Sequence, residues 1–181
     1  EGRSIKDIAL TANVKPLDWL LDHSLSKNGM DTLFIAMLLN SDEKAVGKLL
    51  KHPRSNIALS DAGAHLTFFN DAGYGLYMLQ KWVRENKLMS IEEAIYNLTG
   101  KQADIYRIDQ RGRLVPGQHA DMMLLDPEEV SVSQSYRVND LPGGGSRLNI
   151  DGQGIKGVWV NGQRVLEDGN LINKTEFPGK V

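Results

Sequence analysis

The sequence predicts an α/β region followed by a β region, and three observations lead to this fold class. A strand, a helix and a second strand follow one another between residues 32 and 60, the order of a βαβ unit. A helix-capping box with a clear 3.6-residue apolar period begins at Ser90. From Gly112 onward the apolar runs are short, and Asn161-Gly162 is the strongest short signal for a β-hairpin.

The first third of the chain is expected to begin with helices. Ser4 is a weak N-cap signal, and Pro16 stands where the first turn of a helix tolerates proline. Leu17, Leu20 and Leu21 then repeat at the spacing of one apolar helix face. The continuous apolar run Thr32–Leu39 fits a strand that is covered on both faces, although its period does not exclude a buried helix.

A helix and a second strand are predicted next. Asn40 can cap a helix that carries Glu43 and ends at Pro53. Its inward residues would be Val46, Leu49 and Leu50. The short apolar segment Asn56–Leu59 is then expected to form a buried strand that stops at Ser60-Asp61.

The remaining elements follow the same rules. Leu76, Leu79 and Val83 mark the inner face of a helix, and the capping box at Ser90 starts another. Met122–Leu125 is predicted as a strand, Val158–Val160 and Arg164–Leu166 as the arms of the hairpin, and Leu141–Ser146 as a loop. Because the pattern changes near residue 110, we expect two domains, 1–110 and 111–181.

Composition limits the function classes. The 181 residues carry 21 Lys and Arg against 23 Asp and Glu, so the net charge of −2 gives no general attraction to nucleic acid or to an anionic membrane. The absence of cysteine excludes disulfides, thiolate ligands and a cysteine nucleophile. No apolar run approaches a membrane span and Glu1 opens no signal peptide, so we expect a cytoplasmic protein that is a piece of a longer chain.

Asp61 is the most informative polar residue. It follows a predicted buried strand, at the edge where α/β proteins place their active groups. A carboxylate there can bind a divalent cation or move a proton, and His65 follows after Gly63, which permits a tight backbone path. The alternative is that Asp61 caps a turn and His65 is an ordinary loop residue. Three zinc ligands cannot be assembled from this chain, so a complete metal site is not expected in it.

Three stretches together resemble the C-terminal portion of the amidohydrolase superfamily, in particular the N-acyl-D-amino-acid deacylase (D-aminoacylase) type. The stretches are Ile57–His65, Ser90–Asp126 with Arg111–Asp121 as its most similar part, and Val158–Gly162 with Asp168-Gly169, and the overall similarity extends over nearly the whole chain. The second and third are shared by hydantoinase, dihydroorotase and deaminase relatives. The first, together with Asn139–Pro142, is similar to the deacylase branch.

The resemblance implies the last two βα units of a TIM-like (β/α)₈ barrel, with Thr32–Leu39 and Asn56–Ser60 as strands, followed by strands of a small β-sandwich. In such enzymes a metal-activated water attacks an amide carbonyl. The carboxylate that ends the eighth strand would be Asp61, as general base and acid and as a weak metal ligand. The resemblance further implies zinc as cofactor, an N-acyl amino acid as substrate, and Ser60, Gly63 and His65 as residues near the substrate.

The resemblance also implies what this chain lacks. The family's first-strand His-x-His, its bridging Cys or Lys and its later histidines have no counterpart here, so the chain alone should be inactive and should bind zinc poorly. An incomplete barrel exposes strand edges and an apolar face, which favours self-association or pairing with a missing N-terminal portion. Two alternatives stay open: another amidohydrolase activity, on a cyclic amide or as a deaminase, and a non-catalytic binding or assembly module.

Overall fold

The first helices begin where the sequence places their caps. The computed structural model describes residues 3–26, 34, 36, 39–172 and 177–179, in two compact units, residues 1–41 and 42–181. In the first unit α1 spans Ile5–Ala12, and its N-cap Ser4 accepts a hydrogen bond from the Asp7 N–H at 3.0 Å. Helix α2 spans Pro16–Ser26 and begins at the predicted proline.

Helix α2 is confirmed, but most of its predicted apolar face is exposed to solvent. Leu17 is 63% exposed and Leu21 48%, and Leu25, one turn further on, is 72% exposed. The predicted strand Thr32–Leu39 lies outside the described residues, apart from Phe34, Ala36 and Leu39, and stays a prediction.

The second unit contains a helical series followed by strands. Its helices are α3 (Glu43–Leu50), α4 (Tyr74–Tyr77), which continues as a π-helix (Met78–Glu85), α5 (Ile91–Leu98) and α6 (Gly100–Tyr106). Asp42, not the predicted Asn40, caps α3, because its carboxylate accepts the N–H groups of Lys44 at 2.9 Å and Ala45 at 3.1 Å. Among the described residues, no helix is both long enough and apolar enough to cross a membrane.

The core of the second unit lies between the π-helix, α5 and the start of the β region. It contains these buried residues: Met78, Leu79, Trp82, Met89, Ala94 and Val130. The helix at the predicted capping box is confirmed, since the Ser90 hydroxyl accepts the Glu93 N–H at 3.1 Å. Arg84 joins the two parts of the unit by donating to the Pro127 carbonyl at 3.0 Å and the Val130 carbonyl at 2.7 Å.

The strands form one four-stranded antiparallel sheet and two short pairs. They are β1 (Met122–Leu125), β2 (Ser131–Val132), β3 (Tyr136–Leu141), β4 (Gly145–Asn149), β5 (Gly152–Gln153), β6 (Ile155–Val160), β7 (Gln163–Glu167) and β8 (Asn170–Leu171). The sheet order is β1-β6-β7-β8, with β2 paired to β5 and β3 paired to β4.

The Asn161-Gly162 hairpin between β6 and β7 is confirmed. Asn161 and Gly162 have φ of 50° and 79°, as a two-residue type I′ turn requires. The predicted loop Leu141–Ser146 is shorter than expected, because Leu141 ends β3, Gly145 starts β4 and a single 3₁₀ turn joins them.

The buried strand predicted over Asn56–Ser60 is not formed in this chain. No described segment pairs with it, Leu59 is 84% exposed, and only Ile57 and Ser60 in this stretch are even partly buried. A strand needs a neighbour for its backbone groups, so its formation in a barrel stays a prediction. The Gln102 side chain of α6 donates to the Ile57 carbonyl of this segment, and the Lys101 side chain donates to the Ser55 carbonyl just before it.

Asp121 ties the loop before β1 to the β6–β7 hairpin. Its carboxylate accepts the Asn161 N–H at 2.8 Å and pairs with the Arg111 guanidinium. The Asn161 N–H has the largest effect and lowers the pKa of Asp121 below its ordinary value, burial raises it, and Arg111 lowers it further. The ionised carboxylate therefore stabilises the folded state.

We expect Asp121→Asn to lower the free energy of unfolding at pH 7. The difference between the chain and the variant should disappear in acid. Because the folded-state pKa is depressed, the stabilisation is present above the unfolded-state value of about 3.9 and disappears as the pH falls through the folded-state value. Urea unfolding of the chain and the variant from pH 7 to pH 2 measures the difference. Asp109→Asn, at an exposed position before the same loop, is the control, and a difference independent of pH would contradict the assignment.

Candidate active site

The candidate site residues lie in one short turn after the unpaired segment. The Ser60 hydroxyl accepts the Ala62 N–H at 3.1 Å, and the Asp61 carbonyl accepts the Ala64 N–H at 3.3 Å. Asp61 is exposed and has φ of 54°, in the left-handed region. Its carboxylate has no hydrogen-bond partner in the described part of the chain, so its oxygens are available to a ligand or a proton.

The turn is compact because three of its residues take left-handed backbone conformations. Gly63 has φ of 102° with no atom within 4 Å of a Cβ built on it, which agrees with the tight path that the sequence suggests. His65 has φ of 57°, is exposed, and places its ring centroid 5.1 Å from that of Phe68. Ser60, Asp61, Gly63 and His65 therefore share one exposed turn.

The polypeptide is fixed on both sides of this turn by side-chain and backbone groups that the sequence does not indicate. Before it, the Gln102 amide donates to the Ile57 carbonyl at 2.6 Å. After it, the Leu148 N–H donates to the Leu66 carbonyl at 2.8 Å, and the buried Asn70 donates to the Leu148 carbonyl at 3.1 Å. These partners lie about 45 to 80 residues away along the chain, so no local pattern could have indicated them.

The described residues do not by themselves make a zinc site. A carboxylate such as Asp61 suits zinc, but a catalytic zinc takes three protein ligands. No group of three His, Asp or Glu residues suited to a metal occurs within the described ranges. His52 accepts the Arg54 N–H at 3.2 Å, and His23 stacks on Trp19 at 4.6 Å, so both have local roles. Asp61 can contribute one ligand at most.

A cavity of about 750 Å³ lies away from the candidate turn. Residues of α3, of the segment that follows it and of the end of the π-helix line this cavity, among them Lys48, Trp82 and Leu88. None of its lining residues belongs to the turn Ser60–His65. Residues 61–65 of the turn are exposed in the described chain.

Comparison with known proteins places the chain in a family. Residues 3–166 match the family described as the amidohydrolase family. An N-acyl-D-aspartate deacylase of Alcaligenes xylosoxydans xylosoxydans is 32% identical over 142 residues, which cover 77% of this chain and 26% of that protein. The N-acyl-D-glutamate deacylase of the same organism is 27% identical over 150 residues, covering 81% of this chain and 28% of that protein.

A similar fold is known from solved structures. A crystal structure of D-aminoacylase aligns with a TM-score of 0.55 at 22% identity, covering 96% of this chain and 33% of that chain. Another D-aminoacylase structure with the same TM-score is of an enzyme with a binuclear metal center. The chain therefore spans between about a quarter and a third of the length of these relatives. The match over residues 3–166 shows that this chain belongs to the amidohydrolase family, and its similarity extends to enzymes of the D-aminoacylase type.

Proposed function

We propose that this chain is the C-terminal region of an amidohydrolase that hydrolyses the amide bond of N-acyl-D-amino acids. The observation that carries the proposal is the 32% identity to an N-acyl-D-aspartate deacylase over 77% of the chain, within a family match over residues 3–166. Residues 1–110 would belong to the catalytic barrel and residues 111–181 to the accompanying β-sandwich. The cytoplasmic location stays a prediction.

We assign Thr32–Leu39 and Asn56–Ser60 as the last two strands of the barrel. The likeness to D-aminoacylase over 96% of the chain supports it. The unpaired state of Asn56–Ser60 is compatible with it, since a barrel strand takes its hydrogen bonds from neighbours on both sides. In the complete enzyme those neighbours would come from other parts of the polypeptide.

Asp61 is the residue to which we assign the proton transfer. Its carboxylate accepts a proton from the water that attacks the amide carbonyl, and then delivers that proton to the leaving nitrogen. The exposed position and the unpartnered oxygens support this role. Ser60, Gly63 and His65 share the turn and would contact the substrate around the scissile bond.

Zinc is the metal that we propose for the complete enzyme. When bound, zinc lowers the pKa of a bound water strongly, to about 7. Since the described residues offer no group of three ligands, the other ligands would come from outside this chain, with Asp61 as the contribution from this region. The 181-residue chain alone is therefore expected to be inactive.

The substrate class is tested by a panel assayed on the complete enzyme. We expect turnover of N-acyl-D-amino acids, and first of N-acyl-D-aspartate and N-acyl-D-glutamate. Hydantoins, dihydroorotate and aminopurines form the comparison set. Dihydroorotate is included because a dihydroorotase of Lactobacillus gasseri is 29% identical over 51% of this chain. If the enzyme hydrolyses only the cyclic amides, it is a cyclic amidase and the deacylase proposal is wrong.

We expect the isolated chain to self-associate. Leu17, Leu21 and Leu25 form an exposed stripe along α2, with exposed fractions of 63%, 48% and 72%, and apolar surface of this kind favours association. Light scattering should give a mass above that of one chain. Changing the three leucines to Gln should lower that mass, whereas a monodisperse monomer that melts cooperatively would contradict the expectation.

A further inference from the structure

The turn Ser60–His65 is held in place from outside itself. Its own hydrogen bonds are short-range, between residues two to four apart. The long-range hydrogen bonds of this stretch begin before the turn, at Ile57, and resume after it, at Leu66. The position of Asp61 therefore depends on how these two flanks are fixed.

Gln102 fixes the flank before the turn. Its Nε2 lies within hydrogen-bond distance of three acceptors: the Ile57 carbonyl and the Asn56 Oδ1, both at 2.6 Å, and the Asn97 carbonyl at 2.8 Å. Its Oε1 accepts from the Asn56 Nδ2 at 2.9 Å. The two side-chain amides thus bind each other reciprocally while one of them also binds the backbone. Ile57 packs partly against the core, so the flank is fixed by apolar contacts as well as by hydrogen bonds.

Asn70 fixes the flank after the turn. The side chain is 8% exposed and uses both ends of its amide, accepting the Ala72 N–H at 3.1 Å and donating to the Leu148 carbonyl at 3.1 Å. The Leu148 N–H in turn donates to the Leu66 carbonyl at 2.8 Å. Strand β4 is therefore attached to this flank at two points.

We propose that Gln102 and Asn70 are positioning residues, which set the place of Asp61 by holding the two flanks of its turn. The proposal rests on the proposed function of Asp61. The physical reason is that catalytic groups must be held within about 0.5 Å of the productive geometry. A turn that has only short-range bonds of its own transmits a displacement of either flank directly to Asp61.

The test uses isosteric variants of the complete enzyme. Gln102→Glu keeps the acceptor for Asn56 but loses both amide N–H donors, and Asn70→Asp likewise keeps the acceptor for Ala72 and loses the donor to Leu148. Each variant should lower kcat by about 10- to 100-fold and change KM less than twofold, as a displacement of about 1 Å predicts.

Gln80→Glu is the matched control. Gln80 also makes a long-range bond, accepting the Val132 N–H at 3.1 Å, and its Nε2 donates to Glu85, but it does not contact the flanks. The same chemical change there should leave kcat unaltered. In an Asp61→Asn background the two positioning variants should cause no additional loss of kcat, because their effect passes through Asp61.

The outcomes separate this inference from the proposed function. If Asp61→Asn removes turnover while Gln102→Glu and Asn70→Asp behave like the control, the positioning role is overturned and the proposed function stands. If Asp61→Asn leaves turnover normal, both are overturned. If the two positioning variants lower kcat further in the Asp61→Asn background, their effect is generally structural, and the positioning role is overturned as well.

Discussion

Replacing Asp61 with Asn is expected to lower kcat of the complete enzyme by about 100- to 10,000-fold, the usual contribution of a general acid–base group. Asn has nearly the same shape and tolerates the left-handed backbone of this position, where φ is 54°, but it cannot take up or release the proton. The turnover of an N-acyl-D-amino acid measures the effect, and circular dichroism checks that the fold is retained.

Asp168→Asn is the matched control for this experiment. Asp168 is also exposed and also has positive φ, 43°, but it lies in the turn between β7 and β8. Its replacement should leave kcat unchanged. Normal turnover of Asp61→Asn would assign Asp61 to turn formation only and leave a non-catalytic role as the interpretation of this region.

Replacing Leu79 with Ala is expected to have the largest effect on stability. Leu79 is 2% exposed in the core beside Met78 and Trp82, so the shorter side chain leaves a cavity. Such substitutions cost about 2–5 kcal/mol. For a chain of this size the loss corresponds to a fall in Tm of roughly 4 to 20 °C, which thermal unfolding measures.

Leu49→Ala is the control for the core substitution. Leu49 also lies in a helix of the second unit but is 59% exposed, so the prediction that it faces inward is wrong and its removal leaves no cavity. Its Tm should stay within a few degrees of the original, since surface substitutions usually change stability by about 0.5 kcal/mol or less. Equal losses for both variants would mean that Leu79 does not pack into the core as described.

Some features were predictable because their cause is local. The N-cap at Ser90 needs only a hydroxyl and the following backbone, and the turn at Asn161-Gly162 needs only residues that accept positive φ. For α3 the sequence predicts Asn40 as the cap and the structure has Asp42, because both residue types suit that role and only the path of the chain distinguishes them.

Other features were not predictable because their cause is distant. The apolar composition of Asn56–Ser60 favours a strand, yet a strand forms only where another segment pairs with it. Strands β3 and β4 have sequences rich in polar residues, which do not show the apolar alternation of a strand, and their pairing with each other stabilises both. The contacts of Gln102 and Asn70 likewise join residues that are far apart in the sequence.

Residue types at short spacing are sufficient to predict the caps at Ser4 and Ser90 and the Asn161-Gly162 turn. The resemblance of three sequence stretches indicates the family, and through the family it makes Asp61 the candidate proton carrier. The tertiary structure decided that Asp61 lies on an exposed turn and that Gln102 and Asn70 hold its flanks. The physical reason is that hydrogen bonds of the backbone must be satisfied by whatever groups the fold brings near, and the order of residues does not specify those groups locally.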